Sequence, residues 1–425
     1  LPFQLTQPVG SWTGTMGMLV FLLSFMLGAL MLGASGGAEP GSRAPRMSIA
    51  LRRTDVTLML AAALAAAFFL FDIFSRDQLD LATAYQHRSD SAEALMHGEK
   101  SASTIWFQAA FLLYPAAYVF AAAHLIHARR ISPVRLALFG VLPVALATLS
   151  MGGRMPILYL TLLALISYRE RRKLHRAPGD PGSMRMRRFW KVAITLLLLA
   201  LFAYFAKVFL VRADTVGGVN EMFQIARETW GVGFEGPVAQ VLMGVLGPEA
   251  TYLVFVFSWY LVQGMLFGDQ LFAHYADAMQ WGVYGVDLIS AVMRRVDPER
   301  LSDGFAALHD IGVYGFFPSA WGSLFVDFGF PGALLCLGWG ALAGLTYRRV
   351  VIQARADWFL AGPFVTMGIV MSTINTPLGL ANGLVVHAWL LLALVLTRAD
   401  SGHATSHAGE PEGPDGFASS PSHGE

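Results

Sequence analysis

Six side chains in this sequence stand where they could handle a charged substrate: Arg154, Lys207, Arg212, His309, Asp310 and Asp327. Arg154 sits in Met151–Gly152–Gly153–Arg154–Met155–Pro156, between the apolar runs Leu136–Met151 and Pro156–Tyr168. Each run gives a helix of only about 20–24 Å at a rise of about 1.5 Å per residue. A hairpin of two such helices puts its tip at or below the surface of a bilayer. A guanidinium there is costly unless it is paired or faces a wet cavity, and arginine grips phosphate in a two-pronged geometry that lysine lacks. The alternative is an arginine anchored among lipid headgroups. Lys207 and Arg212 close the run Trp190–Val211. Five positions apart on a helix, they need not share a face. With Arg154 they would make a basic pocket for an anionic, lipid-linked group; ordinary interfacial anchoring is the competing reading.

His309 and Asp310 stand just before a helix expected to begin near Phe316, and a histidine can serve as a general base near neutral pH. A solvated loop histidine is the plainer role. Asp327 precedes the apolar run Phe328–Thr346, where it would be a catalytic carboxylate or, more simply, the N-cap of that helix. Glu221, Glu228 and Glu235, and the early acids Asp77, Asp80 and Asp90, carry no interpretable spacing. No phosphate-binding glycine loop and no His/Glu zinc pattern occur, so ATP and nucleic acid are not expected ligands and no metal or cofactor is expected. Cys336 is the single cysteine, which excludes a disulfide framework or thiolate metal site; inside an apolar run it reads as a small packed hydrophobe.

The elements that must position these residues are membrane helices. The 425 residues are 14% charged and 55% hydrophobic, with a mean hydropathy of +0.53, whereas a soluble domain is about a quarter charged. The apolar runs are Trp12–Gly33, Val56–Phe74, Ile105–His127, Leu136–Met151, Pro156–Tyr168, Trp190–Val211, Tyr252–Phe267, Phe328–Thr346, Trp358–Ser372 and Leu380–Leu396. Helices are the default in lipid, where an open sheet edge leaves backbone groups unpaired, and none of the runs alternates as a barrel strand does.

Short loops rich in Arg and Lys stay in the cytoplasm. One holds Arg43, Arg46, Arg52 and Arg53. A second holds Arg129, Arg130 and Arg135, and a third extends from Arg169 through Arg171, Arg172, Lys173, Arg176, Arg185, Arg187 and Arg188 to Lys191. The fourth holds Arg348, Arg349 and Arg355. The acidic stretch Ser75–Thr104 and the turn at Arg154 alternate with them on the outer face. The alternation also places both ends of Arg212–Phe316 outside, so Tyr252–Phe267 either re-enters, lies at the interface, or is accompanied by a second crossing within Phe223–Leu246. A large external segment with re-entrant or interfacial helices is the favoured reading, since Trp230, Trp259, Tyr260, Tyr275, Trp281 and Tyr284 suit the headgroup level. Parity puts Leu1 outside, as if a first helix preceded it, and no signal peptide is read. No internal repeat or pair of broken helices suggests an inverted-repeat transporter. The organisation is therefore N-terminal membrane helices over 1–211, an external segment over 212–316, C-terminal membrane helices over 317–398 and a disordered cytoplasmic tail over 399–425.

Two stretches resemble the bacterial oligosaccharide repeat-unit polymerases, the O-antigen polymerases of Wzy type. Met151–Gly152–Gly153–Arg154–Met155–Pro156–Ile157–Leu158 is similar to that family's motif of a small residue, Arg, a small residue or Pro, and an aliphatic residue. Val313–Tyr314–Gly315–Phe316–Phe317–Pro318, continuing through Gly322–Ser323–Leu324–Phe325–Val326–Asp327–Phe328–Gly329–Phe330–Pro331–Gly332, is similar to its aromatic–Pro loop and Asp-Phe-Gly helix start. Trp259–Tyr260–Leu261–Val262–Gln263–Gly264, leading to Asp269, fits as well; where the family's loop commonly offers Asn and Thr, this chain has Gly312 and Gly315.

The resemblance implies an all-α polytopic fold of about ten transmembrane helices with a large periplasmic segment, a GT-C-like glycosyltransferase of the bacterial inner membrane. It implies an inverting, metal-independent transfer. The donor is a glycan on undecaprenyl pyrophosphate, the acceptor a repeat unit on the same lipid, and the product O-antigen or exopolysaccharide; a chain-length regulator is a further implied partner. Arg154, Arg212 and Lys207 would hold the diphosphate, and His309, Asp310 or Asp327 would supply the base. A ligase-type transferase to another acceptor, or a lipid or polysaccharide transporter, is the alternative.

Overall fold

The computed structural model describes residues 4–5, 11–34, 52–76, 104–174, 182–234, 236–313 and 318–407. Arg43 and Arg46, the acids of 77–100, Arg176, Glu235, the aromatic motif at 314–317, and residues 408–425 lie outside the described residues. So do the side chains of Arg185, Arg187, Arg188 and Lys191. The described part is about 82% helical, and five of its helices are long and apolar enough to span a membrane. It is an all-α membrane protein. The strand pairing among the described residues is one two-residue ladder, β1 (Gln4–Leu5) antiparallel to β2 (Val232–Gly233).

The main helices among the described residues are α1 Trp12–Gly33, α2 Arg52–Ser75, α3 Ile105–His127, α4 Pro133–Ser150, α5 Met155–Leu174, α6 Gly182–Thr215 and α7 Val219–Thr229. The rest are α8 Pro237–His274, α9 Asp287–Val296, α10 Pro298–Asp310, α11 Ser319–Phe328, α12 Gly332–Tyr347, α13 Ala361–Val370 and α14 Gly383–His407. Helix α14 continues to His407, so the tail expected to be disordered from Ala399 is helical over its first two turns. A helix already propagating adds a hydrogen bond for each further residue it fixes, and nothing before His407 breaks it.

Most helices run between two ends of the bundle, one marked by arginines. At that basic end Arg171 donates to the carbonyls of Leu125 (3.2 Å) and Arg129 (3.1 Å), capping α3 with α5, and Thr54 meets Thr397 at 3.2 Å. At the far end buried Asp72, one turn from the end of α2, accepts from Ser150 of α4 at 2.8 Å, from Thr104 before α3, and from Arg76 Nε at 3.0 Å. Helices α1 and α12 lie in parallel contact. A Cβ built on Gly340 would stand 1.9 Å from the Phe25 carbonyl, and one on Gly344 2.2 Å from that of Ala29. This is small-residue packing of the kind that lets membrane helices approach closely. The matched order, 25 with 340 and 29 with 344, sends both helices toward the end marked by Arg348 and Arg349. Their outward faces carry Leu23, Leu27, Leu30, Leu334 and Leu335 exposed, as lipid-facing helices do.

Helix α8 differs. It is kinked where Gly247 adopts φ +78°, next to Pro248, a residue that cannot donate into a helix. Beyond the kink, Phe255 and Trp259 stack on Trp230, just after α7, and Phe255 meets Phe223 of α7 at a tilt; α7 follows the far end of α6. One helical stretch later, Asp269 accepts the Ser11 N–H at 2.9 Å, at the start of α1. The segment also packs Phe257 on Phe202 and Phe209 of α6, and the helix is long and apolar enough to span a membrane.

Two hydrophobic cores result. One, formed by α2–α5, α13 and α14, is rich in alanine, with Ala62, Ala65, Ala116, Ala117 and Ala122 fully buried. The other, formed by α1, α6–α8, α10, α11 and α12, is built on Phe21, Phe209, Tyr252, Phe255, Trp259, Phe272 and Phe325. Cys336 is buried in it.

Candidate functional site

The far-end turn between α4 and α5 is set by its two glycines. Gly152 takes φ +57°, a left-handed conformation that glycine adopts without steric cost. The Gly153 N–H returns to the Thr148 carbonyl at 3.2 Å and the Gly152 N–H to that of Leu149 at 3.1 Å, closing α4 with a glycine C-cap. The next residue, Arg154, caps α5: its carbonyl accepts from Leu158 N–H at 3.2 Å. The Asp72–Ser150 bond holds the last turn of α4, and the Tyr118 hydroxyl holds the Pro156 carbonyl at 3.2 Å, so both arms of the turn are fixed.

From this turn the half-buried Arg154 guanidinium reaches into the other core. Its Cζ lies 3.9 Å from the centroid of the Phe209 ring on α6 and 5.9 Å from that of Tyr260 on α8. Nη2 also makes a long hydrogen bond of 3.4 Å to the Tyr260 hydroxyl. Aromatic faces attract a cation, and both rings hold the guanidinium in place. The charge also stands at the N-terminus of α5, where the helix dipole is itself positive. An anion arriving here is favoured by guanidinium and helix end together.

Arg212, half-buried, is three residues from Phe209, about 60° around α6 at about 100° per residue, and so shares the Phe209 side one turn further along. Lys207 is exposed and two residues from Phe209, about 200° away. It does not join the other two cations, because the periodicity of α6 carries it round to another face. Beside the aromatic pair runs an apolar groove of about 450 Å³, lined by Phe202 of α6 and by Leu246, Leu253, Val254 and Phe257 of α8. Phe257 packs edge-on against Phe209 at 5.7 Å, so the groove begins beside the ring that carries the guanidinium.

The acidic and histidine candidates lie elsewhere. Asp327 is not the N-cap of the following helix. It sits in the last turn of α11, buried, and accepts Tyr284 N–H at 2.9 Å and Gly285 N–H at 2.7 Å. Burial pushes its carboxyl up to about 6, against the lowering effect of bonds from the Tyr284, Gly285 and Gly282 backbone. The chain turns at Gly329–Pro331 before α12 starts, which is why Asp327 belongs to the preceding helix. Its two oxygens are engaged in folding the loop 280–286 onto α11.

That loop is also held by Thr376, whose hydroxyl donates to Gly285 O at 3.0 Å, while Ser323 bonds Asn375 at 3.2 Å. Asn382 bonds Phe111 O at 2.6 Å through its amide. His309 and Asp310 are exposed in the last turn of α10, which packs on α9. They do not lead directly into another helix: Gly312 at φ +72° closes α10, with Gly312 and Val313 N–H returning to His309 and Leu308 at 2.9 Å each.

The sequence reading missed Asp72, although an acid inside an apolar run is by default a residue with a task. Phe209 carried no signal, since an aromatic in an apolar run reads as core. Compared with protein-family models, with curated proteins and with solved structures, the chain matches none.

Proposed function

We propose that this chain is a glycosyltransferase that polymerises repeat units carried on a polyprenyl pyrophosphate, working at the periplasmic face of a bacterial inner membrane. The observation that carries the reading is Arg154: a guanidinium at a helix N-terminus, stacked on Phe209 at the head of an apolar groove. An isoprenoid chain fits the groove's apolar lining, and the diphosphate at its end falls to Arg154, with Arg212 following on α6. In this orientation the basic loops face the cytoplasm, α8 rests at the outer interface, and the fold is GT-C-like.

A hydroxyl of the acceptor sugar attacks the anomeric carbon of the donor, the bond from that carbon to the phosphate oxygen breaks, and the lipid diphosphate leaves. Negative charge grows on the leaving oxygen, where a preplaced cation is most effective. The hydroxyl proton passes to a base. His309 fits that role better than Asp327, whose oxygens already serve the backbone; Asp310 is exposed beside His309.

The test is polymer length in cells lacking the native gene. Arg154→Ala is expected to lower turnover by about 10²–10³-fold, and Arg154→Lys to recover only part of it, because lysine lacks the fork. Full-length polymer from the alanine variant refutes the assignment. Turnover abolished by a chelator and restored by a divalent ion refutes metal independence.

A further inference from the structure

Helix α9 carries an apolar stripe that the rest of the fold leaves uncovered. At about 100° per residue its side chains sort into three arcs. Ile289 and Met293 pack against buried Val283 and Leu301, in a cluster that also holds Phe305 of α10. Leu288, Val292 and Val296 form the next arc, one residue per turn, and Val292 and Val296 are 50% and 73% exposed. The third arc holds Asp287, Ser290, Arg294 and Arg295. Exposed Arg295 stands only about 20–60° from Leu288 and Val292, so it borders the stripe.

Two sets of contacts fix the depth at which α9 starts. Asn382 N–H donates to the Asp287 carboxylate at 3.3 Å, and the Asn382 amide donates to Phe111 O at 2.6 Å. Phe111 lies inside α3 by six residues from its far end, about 9 Å at about 1.5 Å per residue. The loop before α9 is tied to the end of α11 by the Trp281 N–H, which bonds Asp327 O at 2.8 Å, and α12 begins soon after at Gly332. The register that matches 25 with 340 and 29 with 344 puts Gly332 level with Gly17. That is about 7–8 Å inside α1 from Trp12. Helices α1 and α3 have 22 and 23 residues, enough to cross a hydrocarbon core about 30 Å thick with little to spare. The start of α9 therefore lies near the boundary between headgroups and acyl chains. Trp281 and Phe330, both exposed, flank the end of α11 beside it, and tryptophan is enriched at that boundary.

We propose that α9 is an interfacial helix in the leaflet at the far end of the bundle. Leu288, Val292 and Val296 lie among the acyl chains, and the Arg295 guanidinium sits on the phosphate of an anionic lipid. Helices of this type bury their apolar face about 5–10 Å into the boundary, the depth that both contacts give. An arginine beside the stripe can lay its stem along apolar surface and keep its charge among the headgroups. Charge favours an anionic lipid surface on this side of the helix pair alone: α10 exposes Glu299, Asp303 and Asp310, which such a surface repels into the water.

The experiment places a thiol-reactive fluorophore on full-length protein at Val292→Cys, Val296→Cys or Asp303→Cys, each in a Cys336→Ala chain whose Tm matches wild type. The protein is reconstituted in liposomes of phosphatidylcholine and phosphatidylglycerol. Labels at 292 and 296 are expected to be quenched at least threefold more by doxyl-labelled lipid than by an aqueous quencher, and the label at 303 the reverse. Doxyl-phosphatidylglycerol is expected to quench the 292 label about twofold more than doxyl-phosphatidylcholine, and Arg295→Gln to remove that preference. Labels at 292 and 296 that follow the one at 303 overturn the placement. So do labels there that neither quencher reaches, because a second copy or another protein then covers the stripe. Equal quenching by the two lipids, or a preference that survives Arg295→Gln, overturns the role of the arginine. No turnover is measured, so the outcome is independent of the Arg154 reading.

Discussion

The two cores of this chain are packed from different side chains. The α2–α5 lobe brings helices together on alanines such as Ala65, Ala117 and Ala121, whereas the α6–α12 lobe fills its interior with rings such as Phe209, Phe255, Trp259 and Phe325. Small residues permit close, nearly rigid helix contacts. Large rings bridge helices that stand further apart and leave grooves between them, as at Phe202 and Phe257. Arg154 belongs by sequence to the first lobe and by contact to the second: the alanine lobe holds its backbone still, and the aromatic lobe gives it a surface and a groove. Asp72 is the first lobe's polar anchor at the far end, and Asp327 is the second's. Asp72 is satisfied by side chains from three segments of the chain, Asp327 by backbone amides of one loop.

That contrast can be broken in four ways. Asp72→Ala removes one partner of a buried network and leaves Arg76, Ser150 and Thr104 unanswered; a loss of about 3–5 kcal/mol is expected, read as a fall in Tm of the purified protein. The same variant should lose activity with Arg154 intact, since it frees the turn that aims the guanidinium. An unchanged Tm would mean the alanine lobe does not depend on this anchor.

Asp327 tests the other anchor through pH. Its folded value, about 6, lies above the ordinary carboxylate range, so between that range and about pH 6 the folded chain keeps a proton the unfolded chain has released. Its contribution is therefore fully present at low pH, is lost as pH rises to about 6, and is level above. The span is at most about 3 kcal/mol at about 1.4 kcal/mol per unit. Unfolding curves of Asp327→Asn should lack this slope, and a slope identical to wild type would remove Asp327 as its source.

The α1–α12 contact of the second lobe depends on glycine as the first lobe depends on alanine. Gly340→Ala places a methyl against the Phe25 carbonyl, and overpacking of about 1–3 kcal/mol is expected, measured by thermal unfolding in detergent. Gly338, with open space at its Cβ position, is the control: Gly338→Ala should leave the unfolding free energy within about 0.5 kcal/mol of wild type. The smallest effect is at the seam. Phe209→Leu keeps an apolar side chain under Arg154 but removes the ring, worth about 0.5–2 kcal/mol. On the proposed function it should raise KM for the lipid-linked donor more than it lowers kcat, and an unchanged KM would detach the ring from the site.

Several features were legible before any fold was known, in unequal degree. The run boundaries at Trp12–Gly33 and Ile105–His127 coincide with helices because hydropathy and chain length are local properties. Arg154 stood out because a charge between two short apolar runs is expensive wherever the helices go. Asp327 was misplaced because Asp-Phe-Gly reads equally as the end of one helix or the start of the next, and only the turn at Gly329–Pro331 decides. Lys207 was grouped with Arg212 because both close the same run, although helical phase sends it to another face.

Composition, apolar runs and the spacing of basic loops by themselves determined that this is a helical membrane protein with alternating ends, since each is a sum over neighbouring residues. Tertiary structure decided that α8 kinks at Gly247, that residues 154, 209 and 260 meet, and that Asp327 folds a loop. Each of those depends on contacts between segments tens or hundreds of residues apart, and no local periodicity encodes which distant ring a guanidinium will find.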